Sequence, residues 1–337
     1  MELAQQMELS GKRVLLFTSV LFNYHILIKQ AIEDLGAEVH LYDERNHPSS
    51  IEKILIRKAR FLMSRRTNAY YKLMCEREKD FKPDYVLFVS PEAVTEESLR
   101  MLRNTFSNSK FILYMWDSVK NKKVQGILKH FDSTFSFDPA DCQQYGMTFR
   151  PLFFSQAFEN NGTQEEYEYD VSFIGTVHSD RAKILWQIKK YCDENQLKYY
   201  FYLFIPGKFL LNLRMMTDRY LRKWDRKYIH TDSIAKEEVA RISEMTRCVI
   251  DINHPDQTGL TMRTIEMLGM NRKLATTNTN IREYDFYKPQ NQIVLDRKHL
   301  SLSKEMIRKE YSKIPDQLYK KYSIHQWTKD IFNLNDE

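Results

Sequence analysis

Short apolar runs separated by amphipathic, charged segments dominate the chain. Val14-Leu15-Leu16-Phe17, Val39-His40-Leu41-Tyr42, Tyr85-Val86-Leu87-Phe88-Val89 and Phe111-Ile112-Leu113-Tyr114-Met115 are mainly apolar and bounded by polar residues. Runs this short and continuous suit strands buried on both faces of a parallel sheet. Between them, 23–35, roughly 49–79 and 92–105 read as helices, and Gly36 stands where a helix C-cap belongs. A helix over 121–129 and a strand over 133–137 complete the first series.

Around 150–168 the periodicity stops. Pro151 and the polar run Asn160-Asn161-Gly162-Thr163-Gln164 read as a linker. A second series follows, with strands over 169–174, 198–204, 248–252, 273–277 and 292–295. Helices are expected over 180–194, 235–245, 260–269 and 303–333. The pattern predicts an α/β protein of two Rossmann-like parallel-sheet domains, 1–155 and 166–310, facing each other across a cleft. A C-terminal stretch, 311–337, is expected to pack back towards the first domain.

Composition narrows the function classes. Among 337 residues there are only 9 glycines, where average usage would give about 24. Neither the GxGxxG fingerprint nor the GxxxxGK[ST] loop occurs. A chain that is 42% hydrophobic and 13% aromatic is not disordered, and its length favours two domains. No apolar run reaches the ~18 residues that span a bilayer. The start, MELAQQMELSGKR, lacks the layout of a signal peptide, so a cytoplasmic protein is expected. The four cysteines are scattered without a CxxC pair, which suits reduced thiols. No His-x-x-x-His or paired-Asp spacing occurs, so neither a metal nor a cofactor is expected.

Net charge is +6, but residues 51–66 and 207–230 each carry net +5, leaving the remainder at −4. Two local anionic partners fit this better than general nucleic-acid binding. Both patches mix cations with large apolar residues, as in helices that lie on anionic membranes. The plain alternative, a core-facing helix with a solvated basic face, applies with most force to 207–230. The membrane reading places the protein at the inner face of the plasma membrane.

The richest chemistry lies in 251–297. A buried strand ending in Val249-Ile250 delivers a polar loop, Asn253 to Gly259, which opens a helix carrying Arg263 and Glu266 on one face. Free N–H groups at a helix start suit a diphosphate. Arg263 can add a bidentate phosphate contact, and Glu266, a turn deeper, can accept ribose hydroxyls. An ordinary surface Arg–Glu pair is the bland alternative. Upstream, a strand ending at Gly175 runs through Thr176 and Ser179 to Arg181, a phosphate cradle in which Ser179 or Asp180 can equally serve as a helix cap. In the first domain, His25 follows the first strand and is a candidate base or a surface helix residue. Asp117, beside Trp116 at a strand end, and Asp138 at a later strand end are candidate bases, with helix capping again the alternative.

The stretch from Gln257 resembles the C-terminal half of GT-B glycosyltransferases, above all the group shared by spore-maturation-type proteins and bacterial capsule or lipopolysaccharide transferases. The residues carrying the resemblance are Gln257, Gly259, Leu260, Thr261, Arg263, Glu266 and Gly269, then Lys273, Leu274, Thr276, Thr277, Asn278 and the Tyr284–Tyr287 turn. The resemblance implies a donor site built from Gly175, Thr176, Arg181, Gln257, Gly259, Leu260, Thr261, Arg263 and Glu266. Of the two glutamates eight apart that flank the donor in such enzymes, Glu266 matches the ribose-binding one; the other falls on Thr258. The absence of a DxD triplet removes the usual sign of a metal-dependent GT-A enzyme. The expected activity is transfer of a sugar from a nucleotide-sugar to a surface-polysaccharide or lipid-linked glycan acceptor. A non-catalytic two-lobed nucleotide or sugar binder and a nucleotide-sugar epimerase or phosphorylase on the same fold are the alternatives.

Overall fold

The computed structural model describes residues 7–20, 23–46, 56, 59–160, 162, 166–255 and 258–334. The chain divides into two compact units, Met1–Leu152 with Ile324–Glu337, and Phe153–Ser323. Each unit is a six-stranded parallel sheet with helical crossovers, so the α/β class and the paired Rossmann-like sheets hold.

In the first unit the strands are β1 (Arg13–Thr18), β2 (Glu38–Asp43), β3 (Tyr85–Val89), β4 (Lys110–Met115), β5 (Ser133–Ser136) and β6 (Thr148–Phe149), ordered β2-β1-β3-β4-β5-β6. Strand order reverses between β1 and β3. Leu15 pairs with His40 on one side and Val86 on the other. Phe17 stacks on Phe88 at 4.7 Å beneath a core of buried aliphatic and aromatic side chains. The helix Ile324–Phe332 seals the same core: Trp327 meets Tyr114 edge-on at 4.8 Å, and Asp330 pairs with Arg150 at 2.6 Å.

In the second unit the strands are β7 (Tyr169–Thr176), β8 (Tyr199–Phe204), β9 (Ile229–His230), β10 (Thr246–Asp251), β11 (Lys273–Thr276) and β12 (Gln292–Val294). Their order is β12-β11-β10-β7-β8-β9, which reverses between β7 and β10. Side loops diverge at such a reversal, leaving a crevice at the strand C-termini where open α/β sheets bind ligands.

Three expectations need correction. The helix expected over 121–129 is one turn, Val119–Lys122, then a 3-10 turn, Gln125–His130, because Lys123 turns left-handed at φ 53°. The helical stretch 303–333 is three helices, Lys304–Arg308, Asp316–Lys321 and Ile324–Phe332. Pro315 holds Ile314 out of helical geometry, and Tyr322 and Ser323 instead pair with Phe154. Strands β6 and β9 have two residues each, too few to show a sequence period. The basic patch 51–66 lies partly outside the described residues; within it Ile56 is buried while Phe61 and Leu62 are exposed. No helix among the described residues is long and apolar enough to cross a membrane.

Two glycines have definite structural reasons. Gly36 has φ +95°, the left-handed geometry of a helix C-terminus. Gly269 has no such angle, but a Cβ there would fall 2.5 Å from Phe154 Cγ and against the Phe158 carbonyl oxygen. The helix Met262–Gly269 thus ends flush against the segment that opens the unit. Gly269→Ala is expected to lower unfolding free energy by about 1–3 kcal/mol, the usual cost of overpacking. Gly126→Ala, with nothing within 4 Å of its Cβ, should change it little. Denaturant titration of both variants checks this, and equal effects would refute the packing argument.

Candidate active site

The C-terminal edge of β7 and β10 collects most of the residues expected to bind a donor. β7 ends at Gly175-Thr176, and the chain turns through Val177–Asp180 into the helix Arg181–Glu194. Ser179 takes a left-handed φ of 49° within that turn. Arg181 then reaches back: its Nε donates to the Ile252 carbonyl at 2.7 Å and its Nη1 to the Thr176 carbonyl at 2.8 Å. One guanidinium therefore bridges the end of β7 and the residue that follows β10 at the reversal. Burial, with the charges of Arg263 and Arg297 acting in the same direction, brings Arg181 down to about 10, against Asp251 and Asp180, which hold it up.

Arg263, one position into the helix Met262–Gly269, donates to the Ile174 carbonyl and lies over the Phe173 ring at 5.7 Å. A Cβ on Gly175 would stand 3.2 Å from Phe173 Cζ, a tight approach, and 3.5 Å from Arg263 Nη1, an ordinary contact. Thr261 is the N-cap of this helix, and its hydroxyl accepts the Thr264 N–H at 3.3 Å. Leu260 is buried beside it. The carbonyls of Thr258 and Gly259 accept hydrogen bonds from Asn278 Nδ2 at 3.2 and 3.0 Å. The loop is thereby fixed to the end of β11. Gln257 lies outside the described residues.

Glu266 is not the solvated member of a surface pair. It is only 8% exposed, and its charge acts on Lys236, whose ammonium burial pushes below the ordinary lysine range while Glu266 opposes the shift.

Residues that the sequence did not single out complete the cluster. Arg297, just after β12, donates to both carboxylate oxygens of Asp180 at 2.8 and 3.0 Å and to Asn253 O and Oδ1 at 2.7 and 2.6 Å. Asp180 occupies the N-cap position of its helix yet makes no side-chain cap, so the capping alternative fails there. Arg214 donates to the Val177 carbonyl. His178 and His254 face each other at 5.7 Å. Burial first, then Arg181, His254 and Arg214, lower His178 to about 4, so its imidazole is neutral at pH 7. Four guanidiniums thus stand around one strand reversal, each held by main-chain carbonyls or carboxylates. Arg214, within the helix Lys208–Thr217, and Arg297, after β12, come from distant segments, and no local sequence pattern links them to the site.

The first unit treats its own reversal differently. Glu44, immediately after β2, is fully buried. Its Oε1 accepts the Glu92 N–H at 3.1 Å and lies 3.4 Å from the Ser19 hydroxyl, and its Oε2 accepts the Ala93 N–H at 2.9 Å. The carboxyl ties the loops after β2 and β3 together over the end of β1. Glu92 next to it pairs with Arg45 at 3.3 Å and Lys122 at 2.7 Å, and Lys122 lies 3.6 Å from Asp117. Of the three candidate bases, Asp117 keeps solvent access at 43% side-chain exposure and accepts the Ser118 N–H, while Ser118 caps the following helix. Asp138 is 5% exposed, and its Oδ1 caps the helix Pro139–Tyr145 at the Ala140 N–H, the capping alternative. His25 sits in the first turn of the helix Tyr24–Glu33, and its Nδ1 is buried with no hydrogen-bond partner among the described residues. Burial lowers its pKa, with Asp43 opposing. No cluster of three His, Cys, Asp or Glu side chains among the described residues is arranged for a metal ion.

No protein-family model matches the sequence, and no curated protein matches it. Solved structures do. The chain is similar to the lipopolysaccharide outer core galactosyltransferase WaaB, with TM-score 0.54, 12% identity, and 95% of this chain and 98% of that one covered. It is similar to Anabaena HepE in complex with UDP-glucose, with TM-score 0.60, 8% identity and 96% and 98% covered. It is also similar to a Listeria monocytogenes protein described as a UDP-N-acetylglucosamine 2-epimerase, with TM-score 0.51, 10% identity and 95% and 94% covered. At such identities the likeness defines the fold, which is that of the GT-B glycosyltransferases.

Burial raises Glu44 to about 7 from the ordinary 4.5, with the Ala93 and Glu92 N–H groups and Arg45 opposing and the Glu92 charge assisting. A folded-state value above the unfolded one stabilises fully below the unfolded value and is lost as pH rises through the folded one. The stability difference between the protein and Glu44→Gln should therefore shrink from about pH 4.5 to about pH 7, by about 3 kcal/mol at most. Urea titrations across that range measure it, and a difference that is flat or grows with pH would contradict the assignment.

Proposed function

We propose that the chain is a glycosyltransferase that moves a sugar from a nucleotide-activated donor to a surface-polysaccharide or lipid-linked glycan acceptor. The observation that carries this reading is the gathering of Arg181, Arg214, Arg263 and Arg297 at the β7/β10 reversal, beside the N-terminus of the helix Met262–Gly269. A diphosphate brings two or more negative charges, and guanidiniums with five donors each can meet it while keeping their protein partners. Two of the similar structures support a nucleotide-sugar as ligand, since one holds UDP-glucose and the other is described as acting on a UDP-sugar.

In this reading Arg263 and the Gly175–Arg181 turn face the diphosphate and Glu266 accepts the ribose hydroxyls. Fixed guanidiniums stabilise the diphosphate as it leaves with the bonding electrons. The acceptor binds the first unit, where Asp117 removes the proton from the attacking hydroxyl. Attack by that hydroxyl opposite to the leaving group inverts the anomeric centre.

One similar structure favours a second reading, epimerisation on the same fold. An epimerase changes a nucleotide-sugar without any acceptor, whereas a transferase releases nucleoside diphosphate in step with acceptor glycosylation. Chromatography of reactions with and without acceptor separates the two.

Glu266→Gln keeps the shape but removes the charge that hydrogen-bonds the ribose. It should weaken binding of the preferred nucleoside diphosphate by about 10- to 100-fold, the usual range for hydrogen bonds to a charged group. Calorimetry after a thermal-shift screen of UDP, GDP, CDP and dTDP checks this. An unchanged affinity in a variant that melts normally would refute the ribose role.

A further inference from the structure

The helix Lys208–Thr217 turns an apolar stripe outward. Phe209 is 84% exposed, Met216 76%, Leu213 48% and Leu210 38%. Positions 209, 213 and 216 follow helical spacing and share one face. The opposite face is anchored: Leu211 is buried, Met215 packs on the core that holds Leu221 and Trp224, and Arg214 donates to the Val177 carbonyl. The stripe is therefore presented by a fixed helix, and its exposure does not reflect a loose one.

Six exposed cations lie in the same segment, Lys208, Arg219, Arg222, Lys223, Arg226 and Lys227, and Arg222 Nη1 donates to the Met216 carbonyl at 3.0 Å. The two acids in the segment are occupied locally. Asp218 accepts the N–H groups of Tyr220 and Leu221, and Asp225 accepts that of Lys227. Among the described residues, Lys227 alone of the six has a carboxylate within 4.0 Å.

We propose that the Lys208–Lys227 segment of the second unit docks on an anionic lipid bilayer, with Phe209, Leu213 and Met216 entering the headgroup layer and the six cations meeting lipid phosphates. An amphipathic helix with cations beside its apolar stripe binds such surfaces by both terms at once. A nucleic acid would use the cations and leave the apolar stripe in water. A second copy of the chain would bring like charges together around the stripe, which opposes association. The inference stands apart from the transfer reaction, since it needs neither donor nor acceptor.

Co-sedimentation of the full chain with vesicles tests it. Vesicles of phosphatidylcholine with phosphatidylglycerol should bind at least about tenfold more tightly than phosphatidylcholine alone, and high salt should remove most of the difference. Phe209→Ser with Met216→Ser, and separately Arg222→Glu with Lys223→Glu, should each lower partition about tenfold. Both variants should keep the wild-type melting temperature and nucleoside-diphosphate affinity, which separates failure of docking from failure of the donor site. Absent binding, equal binding to both vesicles, or binding unchanged in both variants overturns the proposal. So does a wild-type dimer, seen by sedimentation, that the Phe209 and Met216 changes dissolve.

Discussion

Where the strand order of a parallel sheet reverses, the two flanking loops leave in opposite directions and need a tie between them. In the second unit the Arg181 guanidinium is that tie, joining the carbonyls of Thr176, at the end of β7, and Ile252, one residue past β10. The other features of the site depend on this bridge. It fixes the Val177–Asp180 turn, which in turn offers Asp180 to Arg297 and the Val177 carbonyl to Arg214. The cost is a buried positive charge surrounded by more guanidiniums, which is why Arg181 falls to about 10. An anionic ligand relieves that strain, so the arrangement favours one on electrostatic grounds.

The first unit meets the same topological problem with the opposite charge. Glu44 fills the crest of β1 and accepts from the loop after β3. Its neighbours Glu92, Arg45 and Lys122 neutralise one another in close pairs. Among the described residues there, the cations Arg45, Arg60 and Lys122 are offset by the Glu44 and Glu92 carboxyls. In the proposed reading this contrast in charge is the reason for seating the diphosphate in the second unit, with Asp117 a solvent-accessible acid of the first.

Much of this was legible in the sequence. Continuous apolar runs marked strands such as β1, β3 and β4, because strands buried on both faces have no polar alternation to obscure them. The helix of Arg263 and Glu266 was legible because a buried strand and then a polar loop ending at Gly259 lead into it. What escaped depended on contacts between distant segments. Arg297 meets Asp180 across 117 positions, and no local pattern announces such a pair. Asp138 followed by Pro139 was a helix-start signal that favoured capping over catalysis. Pro315 likewise marked the break in the last helical stretch. Glu44 carried no signal at all, since its role comes from burial beneath loops that the sequence places 48 and 49 positions away.

The central claim is that the β7/β10 reversal is where a nucleoside diphosphate binds. Hydrogen–deuterium exchange with and without saturating nucleoside diphosphate tests it most directly. Slowed exchange should concentrate in the turn 175–181 and the loop and helix start 258–264. Ligand binding accompanied by protection confined to other segments, with these two unchanged, would contradict the account.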